Sequence, residues 1–264
     1  MISNIFSNLF FTSTHENRDL ELDVLRGIAI IMMIVFHLLF DLNYFKVWGI
    51  SVDSGFWWFF GRLTAVIFLF LVGISLSIYF ARIQHQKHEG LLKKLLLFRG
   101  FKVFGWGLVI TLLSFWFLPQ GAIWFGVLHF IGVSVMLSCF FVRFKKLNLI
   151  LGVAFILIGL FLLQFSFSFP YLLWLGFSPV SFYSFDYFPL LPWFGLVLIG
   201  LFFGKVWYKN GESPFHQKIQ SNFKKNFFIQ KFAVLGQYSL FIYLVHQPIL
   251  IAILIALGVS IPFI

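Results

Sequence analysis

One apolar stretch near the start of the chain carries four ionisable residues, Asp23, Arg26, His37 and Asp41. On a helix, with Asp23 set at 0°, Arg26 falls at about 300°, His37 at about 320° and Asp41 again at about 0°. They line one face. Asp23 and Asp41 are eighteen residues apart, or about 27 Å along a helix axis, close to the thickness of a bilayer's hydrocarbon core. His37 and Asp41 stand four residues apart. A carboxylate beside an imidazole can hold its tautomer and raise its basicity, which suits a general base. A hydrogen bond that only fixes helix packing is the alternative. Asp23 and Arg26, three apart, suit an ion pair at the helix end or a site for an anionic ligand.

Three further histidine- or aspartate-bearing segments lie in apolar runs. His129 follows the Phe125-Gly126 pair. Asp186 precedes Pro189 and Pro192. His246 shares a helical face with Ser239 and Tyr243 and stands just ahead of Pro248. That proline removes a backbone donor and frees the carbonyl of Leu244. Arg62 reads as an arginine reaching toward the interface. Gly195, Gly200 and Gly204 read as points of close helix packing. His15, His85, His88 and His216 fall between apolar runs and read as solvated, and the single Cys139 reads as a small buried hydrophobe. No phosphate-binding loop, dinucleotide fingerprint, zinc-protease helix or serine nucleophile elbow occurs, and no metal site is expected.

The elements that position these residues follow from composition. Of 264 residues, 61% are hydrophobic and 11% charged, and the mean hydropathy is +0.97. A water-soluble domain is about 45–50% apolar and about 25% charged. The chain therefore reads as an all-α, polytopic integral membrane helix bundle. Seven spans are expected, at 22–42, 57–80, 101–118, 121–142, 148–168, 186–207 and 232–257. Arg82, Lys87, Lys93, Lys94 and Arg99 lie between the second and third. Arg143, Lys145 and Lys146 lie between the fourth and fifth, and a basic loop at 208–231 between the last two. The alternate connections carry almost no basic residue, which places the N-terminus and residues 1–21 in the cytoplasm and the C-terminus outside. Met1–Asn17 lacks the basic start, apolar core and cleavage site of a removable signal. The whole of 1–264 reads as one membrane-embedded domain. The net charge of +10 reports topology rather than nucleic-acid binding.

Five segments are similar to a single family. They are Leu22-Asp23-Val24-Leu25-Arg26-Gly27 running on to His37 and Asp41; Gly73-Ile74-Ser75-Leu76-Ser77; Phe125-Gly126-Val127-Leu128-His129; Asp186-Tyr187-Phe188-Pro189-Leu190-Leu191-Pro192-Trp193; and Ser239-Leu240-Phe241-Ile242-Tyr243-Leu244-Val245-His246-Gln247-Pro248. The chain resembles the heparan-α-glucosaminide N-acetyltransferase catalytic-domain family, whose Asp-x-x-Arg-Gly start is shared with other transmembrane acyltransferases. The resemblance implies transfer of acetyl from cytoplasmic acetyl-CoA to an amine across the membrane, with a histidine near the far face.

Together these readings give one expectation. CoA phosphates stay near Asp23 and Arg26, with Lys93, Lys94, Arg99 and Lys102. His37, oriented by Asp41, deprotonates a hydroxyl or amine of an envelope glycan or amino sugar. His129 is a second candidate base or oxyanion donor, and Asp186 and His246 position the acceptor or support the base. The reading requires the lipid bilayer and acetyl-CoA, needs no nucleic acid, and leaves room for a homodimer. Three other classes stay open: a transporter using the same polar stripe without chemistry, a haem protein ligated by histidines, and a structural membrane protein.

Overall fold

The computed structural model describes residues 19–84, 89–213 and 226–259. Among them are eight α-helices: α1 (Leu20–Tyr44), α2 (Gly55–Ile83), α3 (Glu89–Phe117), α4 (Val127–Phe141), α5 (Lys146–Leu162), α6 (Leu190–Trp207), α7 (Phe227–Gln237) and α8 (Ser239–Ala256). No strand occurs among the described residues beyond two isolated bridges. Five helices, α1, α2, α3, α6 and α8, are long and apolar enough to cross a membrane, and α4 and α5 are shorter apolar helices.

Large hydrophobic side chains cover the outside of these helices. On α5, Ile150, Val153, Leu157 and Phe161 are exposed, at spacings of three and four. Asn148, Gly152 and Gly159 are buried on the same helix. A helix that turns its apolar stripe outward and its small or polar residues inward suits lipid, not water. The chain is an integral membrane protein.

The helices form two compact units. One holds α1, the start of α2 as far as Phe68, α7 and α8; the other is Leu69–Ser213, with the rest of α2 and α3–α6. In the first unit α1 and α7 cross closely. A Cβ on Gly27 would strike the Phe232 carbonyl, and one on Gly236 would strike the Asp23 carbonyl. In the second unit, Gly73 packs on the backbone of Val197 and Gly200, Gly132 on Gly100 and Phe104, and Gly152 on Gly195. The glycines at 195, 200 and 204 are packing points, as their spacing suggests.

Several expected boundaries move. The third span begins at Glu89 rather than 101, so Lys93, Lys94 and Arg99 lie on the helix rather than in a loop. Their neighbours are mostly leucine, a strong helix former, and a helix outruns the hydrocarbon at no cost once its charges reach the interface. The fourth helix starts at Val127 rather than 121, because Pro119–Gly121 forms a 3₁₀ turn and Ala122 and Gly126 are extended. The fifth ends at Leu162, and Phe167 pairs instead with Ser178 through its backbone. The sixth starts at Leu190, leaving Asp186 ahead of it; Leu191 is non-helical at φ −96°, ψ 125°, as a residue before proline tends to be.

The largest change is at 232–257. Two helices, α7 and α8, replace the single span, and part of the supposed 208–231 loop is helical. Phe232 meets Gly27 and Gly236 meets Asp23, whereas His246 meets His37 and Gln247 meets Asp41. The order of these contacts shows α7 running toward the start of α1 and α8 running toward its end, so the chain reverses at Tyr238. Met1–Asn17, His15, His85, His88 and His216 lie outside the described residues.

Candidate active site

The stripe on α1 turns inward within its unit. Asp23 and Asp41 are 2% and 3% exposed, while Leu25, Ile28 and Val35 are exposed. Measured from Asp23 around the helix axis, those three apolar residues sit at about 200°, 140° and 120°, the opposite side of the helix. At the start of α1, Asp23 and Arg26 form an ion pair with Oδ1 and a guanidinium nitrogen 2.7 Å apart.

Two helical turns before its end, α1 meets α8. The rings of His37 and His246 stand edge to face, centroids 4.8 Å apart. His37 Nδ1 lies 2.9 Å from the Met33 carbonyl and His246 Nδ1 lies 2.7 Å from the Tyr243 carbonyl. A carbonyl only accepts, so each Nδ1 carries the proton and each Nε2 carries a lone pair. Gln247 donates Nε2–H to Asp41 Oδ1 at 2.7 Å. Three buried polar atoms here have no hydrogen-bond partner: Asp41 Oδ2, His246 Nε2 and Gln247 Oε1. A buried polar atom left unpaired costs about 1–3 kcal/mol, so three together make this cluster the candidate site.

The expected bond from Asp41 to His37 is replaced. Side chains on a helix lean toward its N-terminus. The His37 ring therefore reaches back to Met33, and the Asp41 carboxylate, a turn further on, goes to Gln247 of another helix.

His129 and Asp186 come together in the other unit, at the start of α4. Backbone pairing holds the segment around Asp186 against that before α4: Phe185 N–H donates to Gly121 O at 3.1 Å and Phe188 N–H to Phe125 O at 2.9 Å. Asp186 Oδ2 then accepts from Val127 N–H at 3.0 Å. His129 Nδ1 accepts from Gly126 N–H at 3.3 Å. Its Nε2 lies 3.3 Å from Thr111 Oγ1, and that hydroxyl's own hydrogen goes to the Ile123 carbonyl at 2.6 Å. His129 is 2% exposed, stacked on Phe125 and edge-on to Phe104. Both of its nitrogens are engaged. The two residues satisfy backbone donors that a helix start leaves over, and the geometry is that of a cap.

The cationic residues have separate settings. Lys93 and Lys94 are exposed on the first turns of α3. Arg99 lies over the Tyr79 ring at 3.9 Å, and Arg62 over Trp58 at 5.6 Å. Among the described residues no group of three or more His, Cys, Asp or Glu side chains is disposed to hold a metal ion.

The model of the family described as heparan-alpha-glucosaminide N-acetyltransferase, catalytic, matches residues 18–248. The chain belongs to the heparan-α-glucosaminide N-acetyltransferase catalytic family. No curated protein and no solved structure matches the chain. Membership of this N-acetyltransferase family makes the chain a transferase of the transmembrane acetyltransferase kind, and the matched stretch contains both the His37–His246 cluster and the His129–Asp186 cap.

Within the N-acetyltransferase match, Gly27 of the Asp-x-x-Arg-Gly start serves the α1–α7 crossing and Asp23 lies buried at the same point. Gln247, which holds Asp41, is the member of this cluster that reading the sequence leaves out. Its signal is a polar side chain between an intramembrane histidine and a proline.

Proposed function

We propose that the chain moves an acetyl group from cytoplasmic acetyl-CoA to a hydroxyl or amine of an envelope glycan or amino sugar on the outer side of a bacterial inner membrane. The observation that carries this reading is the His37–His246 pair, two imidazoles in contact with each Nδ1 tied to a carbonyl of its own helix and each Nε2 left with its lone pair, next in sequence to the Gln247 that holds Asp41. His37 is half-buried and His246 buried, which favours His37 Nε2 as the base. The acceptor N–H or O–H gives its proton to that nitrogen as the heteroatom attacks the thioester carbonyl. The new C–N or C–O bond forms, the C–S bond breaks, and CoA leaves as a thiolate that takes up a proton.

Seven crossings by α1–α6 and α8, with the N-terminus inside, agree with the basic residues of the connections. The eleven residues of α7 extend about 17 Å, too little to cross. Lys93 and Lys94 suit CoA phosphates on the cytoplasmic side. Arg26 is already paired with Asp23, and the pair suits closure of the inner end of the stripe.

Transfer of labelled acetyl from acetyl-CoA to glucosamine, measured on detergent-purified protein, tests the reading. Transfer that is lost in His37→Ala supports it. Wild-type turnover in His37→Ala overturns the base assignment, and failure of the purified wild type to bind acetyl-CoA overturns the reaction.

A further inference from the structure

We propose that Gln247 is a positioning residue that aims the Asp41 carboxylate at a hydrogen-bond donor of the acyl acceptor, a role that rests on the acetyltransferase reading. Donors and acceptors in the cluster do not balance. The Nδ1–H groups of His37 and His246 are used by Met33 and Tyr243 of their own helices. One of the two hydrogens on Gln247 Nε2 is used by Asp41 Oδ1. What remains buried without a partner, Asp41 Oδ2, Gln247 Oε1 and His246 Nε2, can only accept, with Asp41 ionised and His246 neutral. A ligand that completes this cluster brings hydrogens, as a hydroxyl or amine about to be acylated does, and not the oxygen of a thioester.

Gln247 decides which carboxylate oxygen is left for that ligand. It fixes Oδ1 from a helix 206 residues away in sequence, so Oδ2 alone stays available. The same carboxamide turns Oε1 inward as a second acceptor. Pro248, the next residue, supplies no N–H to the preceding turn of α8.

A strut that only ties α8 to α1 would show the same bond, and the test separates the two. Binding of labelled glucosamine is measured without acetyl-CoA on the full-length protein in detergent, alongside the melting temperature. Gln247→Leu is expected to weaken glucosamine binding about tenfold or more. The exchange Asp41→Asn with Gln247→Glu rebuilds the tie with donor and acceptor reversed, and is expected to restore the melting temperature while leaving glucosamine binding weak. Unchanged binding in Gln247→Leu overturns the proposal. So does an exchange that restores binding together with stability, or a wild type that binds no glucosamine. Because acetyl-CoA is absent, the two failures are distinct: a protein that binds glucosamine through Gln247 yet uses no acetyl-CoA would overturn the acetyltransferase reading and confine Gln247 to aiming Asp41 at a bound sugar that is not acylated.

Discussion

His37 and His246 meet edge to face with their centroids 4.8 Å apart, each tied through Nδ1 to a carbonyl of its own helix. Neither ring needs the other for its tautomer, yet both present Nε2 as a base. Removing either should therefore lower acetyl transfer by about 10²–10⁴-fold. The double variant His37→Ala with His246→Ala should fall little further, because residues that act as a unit are not additive. Turnover of purified variants with labelled acetyl-CoA checks this. Multiplying losses would show two independent contributions and would separate the pair.

His129 and Asp186 predict a different outcome. His129→Ala leaves the Gly126 N–H and the Thr111 hydroxyl without their shared partner, at a cost of about 1–3 kcal/mol in stability. Asp186→Ala should cost about 0.5–2 kcal/mol through the loss of a cap. The two should couple in a double-mutant cycle, since both serve the same helix start. Thermal unfolding in detergent measures the effect. A His129→Ala protein as stable as wild type but inactive would return this histidine to the chemistry.

The crossing of α1 and α7 gives a third test. Gly27→Ala and Gly236→Ala each push a methyl group into a backbone carbonyl of the facing helix, and overpacking of this kind costs about 1–3 kcal/mol. A methyl group at Gly49 would meet nothing within 4 Å, so Gly49→Ala serves as the neutral control. Equal melting temperatures for all three would show that the crossing relaxes freely.

Lys93 and Lys94 are expected to act on the donor alone. Lys93→Ala with Lys94→Ala should raise KM for acetyl-CoA several-fold and leave KM for the sugar acceptor unchanged. The effect should shrink with added salt, as exposed charges are screened. Titration of both substrates at two ionic strengths measures it.

The α1 stripe is legible in the sequence because four ionisable groups in an apolar helix must share a sheltered face, and periodicity alone reports that face. The partner of His37 is not. A spacing of four places Asp41 nearby, but the lean of helical side chains sends the ring to Met33, and the carboxylate finds Gln247 206 residues on. His129 and Asp186 read as intramembrane site residues because both stand in apolar sequence. Their capping role depends on the segments around Gly121–Phe125 and Phe185–Phe188 pairing through backbone atoms, which side-chain pattern does not encode. The reversal at Tyr238 is hidden for a similar reason. No proline marks it, and only the short Gly236-Gln237-Tyr238-Ser239 stretch interrupts the apolar run.

That reversal also governs where the imidazoles meet. Gly236 fixes the chain against Asp23, and α8 then starts at Ser239, seven residues before His246. Seven residues make about two whole turns. His246 thus keeps the azimuth that α8 has as it leaves the crossing, and the crossing works as a gauge that sets the height at which the two bases meet. A single residue inserted between Tyr238 and His246 would rotate the ring by about 100° and lift it by about 1.5 Å. Every bond within α8 would survive, and the two nitrogens would be out of phase.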